Sequence, residues 1–136
     1  MTTIVMTGGS AGFGAVAVDQ LSREPDVHLL IGARTASPDF IPVDLACLDS
    51  VRAFAEAIQR RIGDTGIDVL ALNAGSILPS DAMRTVDDIE TTFAVNHLAH
   101  YLLVRLLMPS LVEEARIVIT TSGTHDPAVR TGWRRR

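Results

Sequence analysis

Ile4-Val5-Met6-Thr7-Gly8-Gly9-Ser10-Ala11-Gly12-Phe13-Gly14 is the stretch whose reading decides the fold. A short apolar run ends in a glycine-rich turn. The turn opens into Ala15-Val16-Ala17-Val18-Asp19-Gln20-Leu21, which continues as a helix. Strand, glycine turn and helix in that order make a cradle for a dinucleotide pyrophosphate. The first N–H groups of a helix have no partners within it and lie at the positive end of its dipole. Glycines let this backbone turn sharply and approach the phosphates with no Cβ in the way.

The rest of the chain repeats the theme. Residues 3–7 read as a strand buried on both faces, because they are apolar without alternation. A helix over 13–23 follows, with Val16, Ala17 and Leu21 expected to pack on a sheet and Glu24-Pro25-Asp26 ending it. Strands are predicted over 27–31 and 40–43. Asp49 or Ser50 is expected to cap a helix through Arg61, with Val51, Phe54, Ala55 and Ile58 on one face. Residues 67–72 read as a fourth strand ending in Asn73-Ala74-Gly75. Thr85-Val86-Asp87-Asp88 looks like a capping-box variant opening a long helix over 86–111, which Pro109 brings to its end. Residues 116–121 read as a fifth strand before Ser122-Gly123.

Strands alternating with helices predict an α/β fold, a Rossmann-type doubly wound parallel sheet that stops after its fifth strand. Right-handed crossovers gather the C-terminal strand ends on one edge, where ligands bind. Gly8 to Gly14, Arg34, Asp44, Asn73 to Gly75 and Ser122 all fall there. This organisation assigns 1–123 to an incomplete dinucleotide-binding domain and 124–136 to an irregular tail.

Composition narrows the function. The 136 residues suit one domain, 47% of them are apolar, and the net charge of −4 argues against nucleic acid as a partner. Arg134-Arg135-Arg136 reads as a solvated tail. The single cysteine, Cys47, forms no intrachain disulfide. No signal peptide or membrane span is legible, so a soluble cytoplasmic protein is the default. All twelve basic residues are arginine, and Tyr101 is the only tyrosine.

The end of the second strand bears on cofactor choice. NAD sites usually place an acidic residue about 20 residues after the glycine turn, to hold the ribose 2′-hydroxyl. Here Arg34 lies 20 residues beyond Gly14. A guanidinium suits a 2′-phosphate, so NADP(H) is expected over NAD(H).

Thr7-Gly8-Gly9-Ser10-Ala11-Gly12-Phe13-Gly14 resembles the TGxxxGxG turn of short-chain dehydrogenases/reductases, with Phe13 in place of isoleucine or leucine. Asp44-Leu45 is similar to the family's adenine-contacting pair, and Leu72-Asn73-Ala74-Gly75 to its NNAG segment. Val95-Asn96-His97-Leu98 resembles the helix carrying its catalytic asparagine. Thr120-Thr121-Ser122 resembles the strand end carrying its catalytic serine. The segments around Asn96-His97-Leu98-Ala99-His100 and Ser122-Gly123-Thr124-His125-Asp126-Pro127 are similar to the retinol-dehydrogenase-like and protochlorophyllide-reductase-like branch.

The resemblance implies hydride transfer between a nicotinamide and a small carbonyl or alcohol substrate. It implies Ser122 and Asn96 as catalytic residues. It implies Gly8, Ser10, Gly12, Phe13, Gly14, Arg34, Asp44, Leu45, Asn73, Ala74 and Gly75 as the cofactor surface, with no metal. It also implies a homo-oligomer through the 86–111 helix.

The family's acid/base pair, a YxxxK motif, should follow Ser122, but none of the 14 residues after it is Tyr or Lys. Tyr101 and Arg105 copy the spacing on the wrong side of Ser122 and read as surface positions of a helix. His97 and His100, spaced i, i+3, read as packing or surface residues rather than metal ligands. His125-Asp126 near Ser122 lacks the nucleophile elbow of a hydrolase. The expectation is a half-site with a cofactor surface and no acid/base pair, in a fragment, a shifted reading frame or a degenerate copy. The apolar run Ile117-Val118-Ile119 is expected to leave an exposed sheet edge.

Overall fold

The computed structural model describes residues 1–35, 37–77, 83–123 and 128. Five strands form one sheet: β1 (Thr2–Thr7), β2 (Val27–Ala33), β3 (Phe40–Pro42), β4 (Ile67–Leu72) and β5 (Leu111–Ile119). Their order is β3-β2-β1-β4-β5, and every pair is parallel. The order reverses at β1, where β2 lies on one side and β4 on the other, so the glycine turn leaves the sheet at its topological switch point. The predicted fold class holds. Residues 78–82 of the loop before Met83, and His125, Asp126 and the arginine tail, lie outside the described residues.

Helices α1 (Gly12–Leu21), α2 (Leu48–Ile62) and α4 (Ala99–Leu107) accompany the sheet. Phe54 and Ile58 of α2 and Leu103 and Leu107 of α4 are fully buried in one cluster with Val5 and Leu70. Ile4 and Met6 alternate with Val5 and are buried as well, so β1 is covered on both faces as its unbroken apolar run predicts. On the α1 side, Val18 and Ile31 both crowd the position that a side chain on Gly9 would take.

Several boundaries differ from the sequence reading. In α1, Val16 is exposed while Gly14 is buried. The inward stripe runs Gly14, Val18 and Leu21, and Val16 falls about 200° around the helix from Gly14. Asp49 and Ser50 do not cap α2, which begins at Leu48. The Ser50 hydroxyl accepts from the Asp44 N–H instead, and Asp87, 39 residues away, accepts from the Leu48 N–H at 3.0 Å. Asp87→Ala leaves that N–H without its partner. Thermal unfolding should show a loss of about 0.5–1 kcal/mol, and an unchanged midpoint would deny the cap its role.

The capping box at Thr85 does not open a helix. Thr85 Oγ1 accepts from the Asp87 and Ile89 N–H groups, and Asp88 turns to φ 57°. The helix starts later, at α3 (Thr91–Phe93), where the Glu90 carboxylate accepts from the N–H groups of Thr92 and Phe93. Those two bonds, Phe93's first, hold the Glu90 carboxyl below its usual range. The helical path then passes through a π turn (Ala94–Leu98) into α4 and ends in a 3₁₀ turn (Met108–Ser110). Strand β5 starts five residues earlier than predicted, because Leu111 already pairs with Ile67 before a register shift brings Arg116 opposite Val69. Ile117, Val118 and Ile119 are exposed, and among the described residues no strand pairs with the outer edge of β5.

Candidate functional site

The C-terminal strand ends enclose a cleft of about 500 Å³. It is lined by Gly8, Ser10, Phe13 and Gly14 from the glycine turn, by Arg34 after β2, by Asp44 and Leu45 after β3, and by Asn73, Ala74 and Gly75 after β4. Ten of the eleven positions read as a cofactor surface thus meet in one place. The eleventh, Gly12, opens α1 with φ +56° and open space around its Cα.

The turn is shaped by what its glycines leave out. A Cβ on Gly14 would run into the Gly8 carbonyl oxygen, and one on Gly8 would lie 2.6 Å from the Ala74 backbone at φ +75°. Helix α1 therefore starts directly over the turn. Its N-cap, Ala11, supplies no side-chain cap, and no acidic residue stands in the first turn. The leading N–H groups remain available to an anion at the positive end of the dipole. This is what a dinucleotide pyrophosphate requires, so the residues present fit that group.

A hydrogen-bonded frame fixes the turn. The Asn73 amide donates to the Gly8 carbonyl at 3.0 Å, and its oxygen accepts from the Thr120 hydroxyl at 2.9 Å. The Asn73 side chain therefore holds β1, β4 and β5 together at the base of the cleft. Thr7 Oγ1 accepts from the N–H groups of Asn73 and Ala74, and lies 2.9 Å from His100 Nε2. Asn96 sits in the π turn. Its side chain accepts from the Ser76 N–H at 2.8 Å and donates to the Ser76 carbonyl at 2.7 Å, clamping the segment after Gly75. Ser122 is exposed just beyond β5. Neither Asn96 nor Ser122 lines the cleft itself.

Thr91, Val95 and Thr120 line the cleft without having been singled out in the sequence. Thr91 and Val95 are spaced i, i+4 on one helical face, a signal that was there to be read. Tyr101 and Arg105 are exposed on α4, away from the cleft lining. His97 stacks on Phe93 with ring centroids 5.2 Å apart, while His100 is buried.

Burial pushes the His100 pKa down, a bond to the Asn96 backbone opposes this, and His97 adds to the lowering. An unfolded chain takes up the proton first, near pH 6.5. The stability that neutral His100 contributes is therefore present above about pH 6.5 and is lost as the pH drops below it. Urea midpoints should decrease between about pH 7.5 and 5.5, and His100→Phe should flatten that slope. An equal slope in the variant would place its cause elsewhere.

The model of the short chain dehydrogenase family matches residues 2–131. The chain belongs to the short-chain dehydrogenase family. It is thus part of a family of oxidoreductases that bind NAD(P). A protochlorophyllide reductase of Avena sativa is 32% identical over 142 residues, covering 89% of this chain and 45% of that protein. An oxidoreductase of Penicillium decumbens is 33% identical over 145 residues, covering 90% of this chain and 41% of its own length. The chain therefore spans less than half the length of these curated relatives. Among solved structures, a short-chain dehydrogenase of Burkholderia cenocepacia in complex with NADP superposes with a TM-score of 0.72 at 26% identity. That match covers 89% of this chain and 55% of the other. No helix among the described residues of this family member is long and apolar enough to cross a membrane.

Proposed function

We propose that the chain provides the NADP(H)-binding half of a short-chain dehydrogenase/reductase acting on a small carbonyl or alcohol substrate. The observation that carries this reading is the uncapped N-terminus of α1 over a glycine turn, with Arg34 at the adjoining strand end. The N–H groups of α1 hold the pyrophosphate. Arg34 holds the 2′-phosphate, Asp44 and Leu45 border the adenine, and Asn73 to Gly75 support the ribose side. The bound nicotinamide supplies the hydride chemistry. Ser122 holds the substrate oxygen, and Asn96 keeps the segment after Gly75 in place beneath it. The exposed face carrying Phe93, Tyr101 and Met108 is where a second copy docks. A cytoplasmic location goes with this reading.

A second reading is favoured by what these 136 residues lack. They contain no lysine, and their one tyrosine is exposed on α4. On its own the chain is then a dinucleotide-binding module without turnover. The purified chain, given NADPH and a panel of aldehydes and ketones, should bind the cofactor and leave it unoxidised. Steady carbonyl-dependent oxidation of NADPH would overturn the module reading, and failure to bind NADPH would overturn both.

A further inference from the structure

His100 is buried in the first turn of α4, with 6% of its surface exposed, against the last residue of β1. Its Nε2 lies 2.9 Å from Thr7 Oγ1. That oxygen already accepts from two backbone N–H groups, Asn73 at 3.2 Å and Ala74 at 3.3 Å. A hydroxyl has two lone pairs and one proton. With both lone pairs taken, only the proton is left for His100, so Nε2 is the acceptor. The ring proton then sits on Nδ1. One chain of bonds runs from the imidazole through the Thr7 hydroxyl to the amides that follow β4.

We propose that His100, as the neutral Nδ1–H tautomer, is a positioning residue that sets the direction of the Thr7 hydroxyl. It thereby locks the end of β1, the Asn73–Ala74 segment and the start of α4 into one frame beneath the glycine turn. The part of this concerning the cofactor rests on the NADP(H) reading above. A protonated ring would aim an N–H from Nε2 at an oxygen with no lone pair to receive it, and one of the two amide bonds would open. His97, on the same helical path, is the titratable neighbour acting on the ring, while Thr7, Asn73 and Ala74 present only a hydroxyl and amides. A phenylalanine at this position fills the volume and orients nothing. A glutamine can return an acceptor oxygen near the position of Nε2.

The first test needs no cofactor. Long-range ¹H–¹⁵N spectra of the whole chain should show the His100 Nδ1 protonated and Nε2 bare at about pH 7.5, and still so at about pH 6, near which a free imidazole titrates. An Nε2–H tautomer, or ordinary titration, overturns the proposal. The second test is a cycle of Thr7→Val, His100→Phe and the double variant, read as NADPH affinity. His100→Phe should weaken binding about tenfold, the loss of one hydrogen bond, and the double variant should lose less than the sum of the two single losses. His100→Gln should stay within about threefold of the parent. Additive losses, or no rescue by glutamine, overturn the positioning role. Should His100→Phe not fold, the glutamine variant and the spectra still decide. If the parent chain binds no NADPH, the cofactor reading falls, and the tautomer with the Asn73 and Ala74 amide shifts in His100→Gln reports on His100 alone.

Discussion

Gly14→Ala should abolish dinucleotide binding. Helix α1 lies so close to the turn beneath it that the added methyl would fall on the Gly8 carbonyl oxygen, with the Asn73 amide nitrogen at 2.7 Å. Overpacking costs about 1–3 kcal/mol where side chains can yield. Here the obstacle is backbone, fixed by the Asn73 bond to that same carbonyl. The helix must move off the turn, and the N–H groups that face the cleft move with it. Affinity for NADPH should fall by at least about 100-fold, out of the range of the titration, together with a loss of thermal stability. Gly12→Ala is the control. Its added methyl meets nothing within 4 Å, although its φ of +56° makes a side chain there strained. It should retain far more binding than Gly14→Ala, and equal losses would mean that the close approach at Gly14 is not what matters.

The second large effect concerns cofactor choice. Arg34→Asp should invert the preference between NADPH and NADH. Arg34 is exposed at the mouth of the cleft, one residue past β2, and Gly32 and Ala33 before it also line the cleft. Hydrogen bonds to charged groups are worth about 1.5–3 kcal/mol, and an aspartate removes them while adding repulsion towards a 2′-phosphate. The same carboxylate can accept from a free 2′-hydroxyl. The ratio of the two dissociation constants should therefore move about 100-fold towards NADH. A ratio that does not change would remove Arg34 from the site.

The frame of the site was legible because buried parallel strands write themselves as unbroken apolar runs. Ile67–Leu72 matches its predicted bounds for that reason, and the polar residues ending each strand gather on one edge by topology alone. Legibility failed where distant residues intervene. The sequence around Thr85 offers a local capping pattern, but Asp88 turns left-handed and Glu90 takes over the cap. Nothing near Leu48 reveals that Asp87 reaches across to it. The bond between Thr7 and His100 spans 93 positions, and no spacing rule connects a strand end to a helix so far along the chain. For Asn73 and Asn96, resemblance located the residues. It did not tell that both side chains bond protein partners, Gly8 and Thr120 for one and Ser76 for the other.

The most direct measurement is a fluorescence titration of the purified 136-residue chain with NADPH and with NADH, at one ionic strength. The cleft at the strand ends predicts saturable binding of one dinucleotide per chain, tighter for NADPH and lost in Gly14→Ala. If neither cofactor binds to the folded chain, the cleft is not a dinucleotide site and the proposed function is wrong.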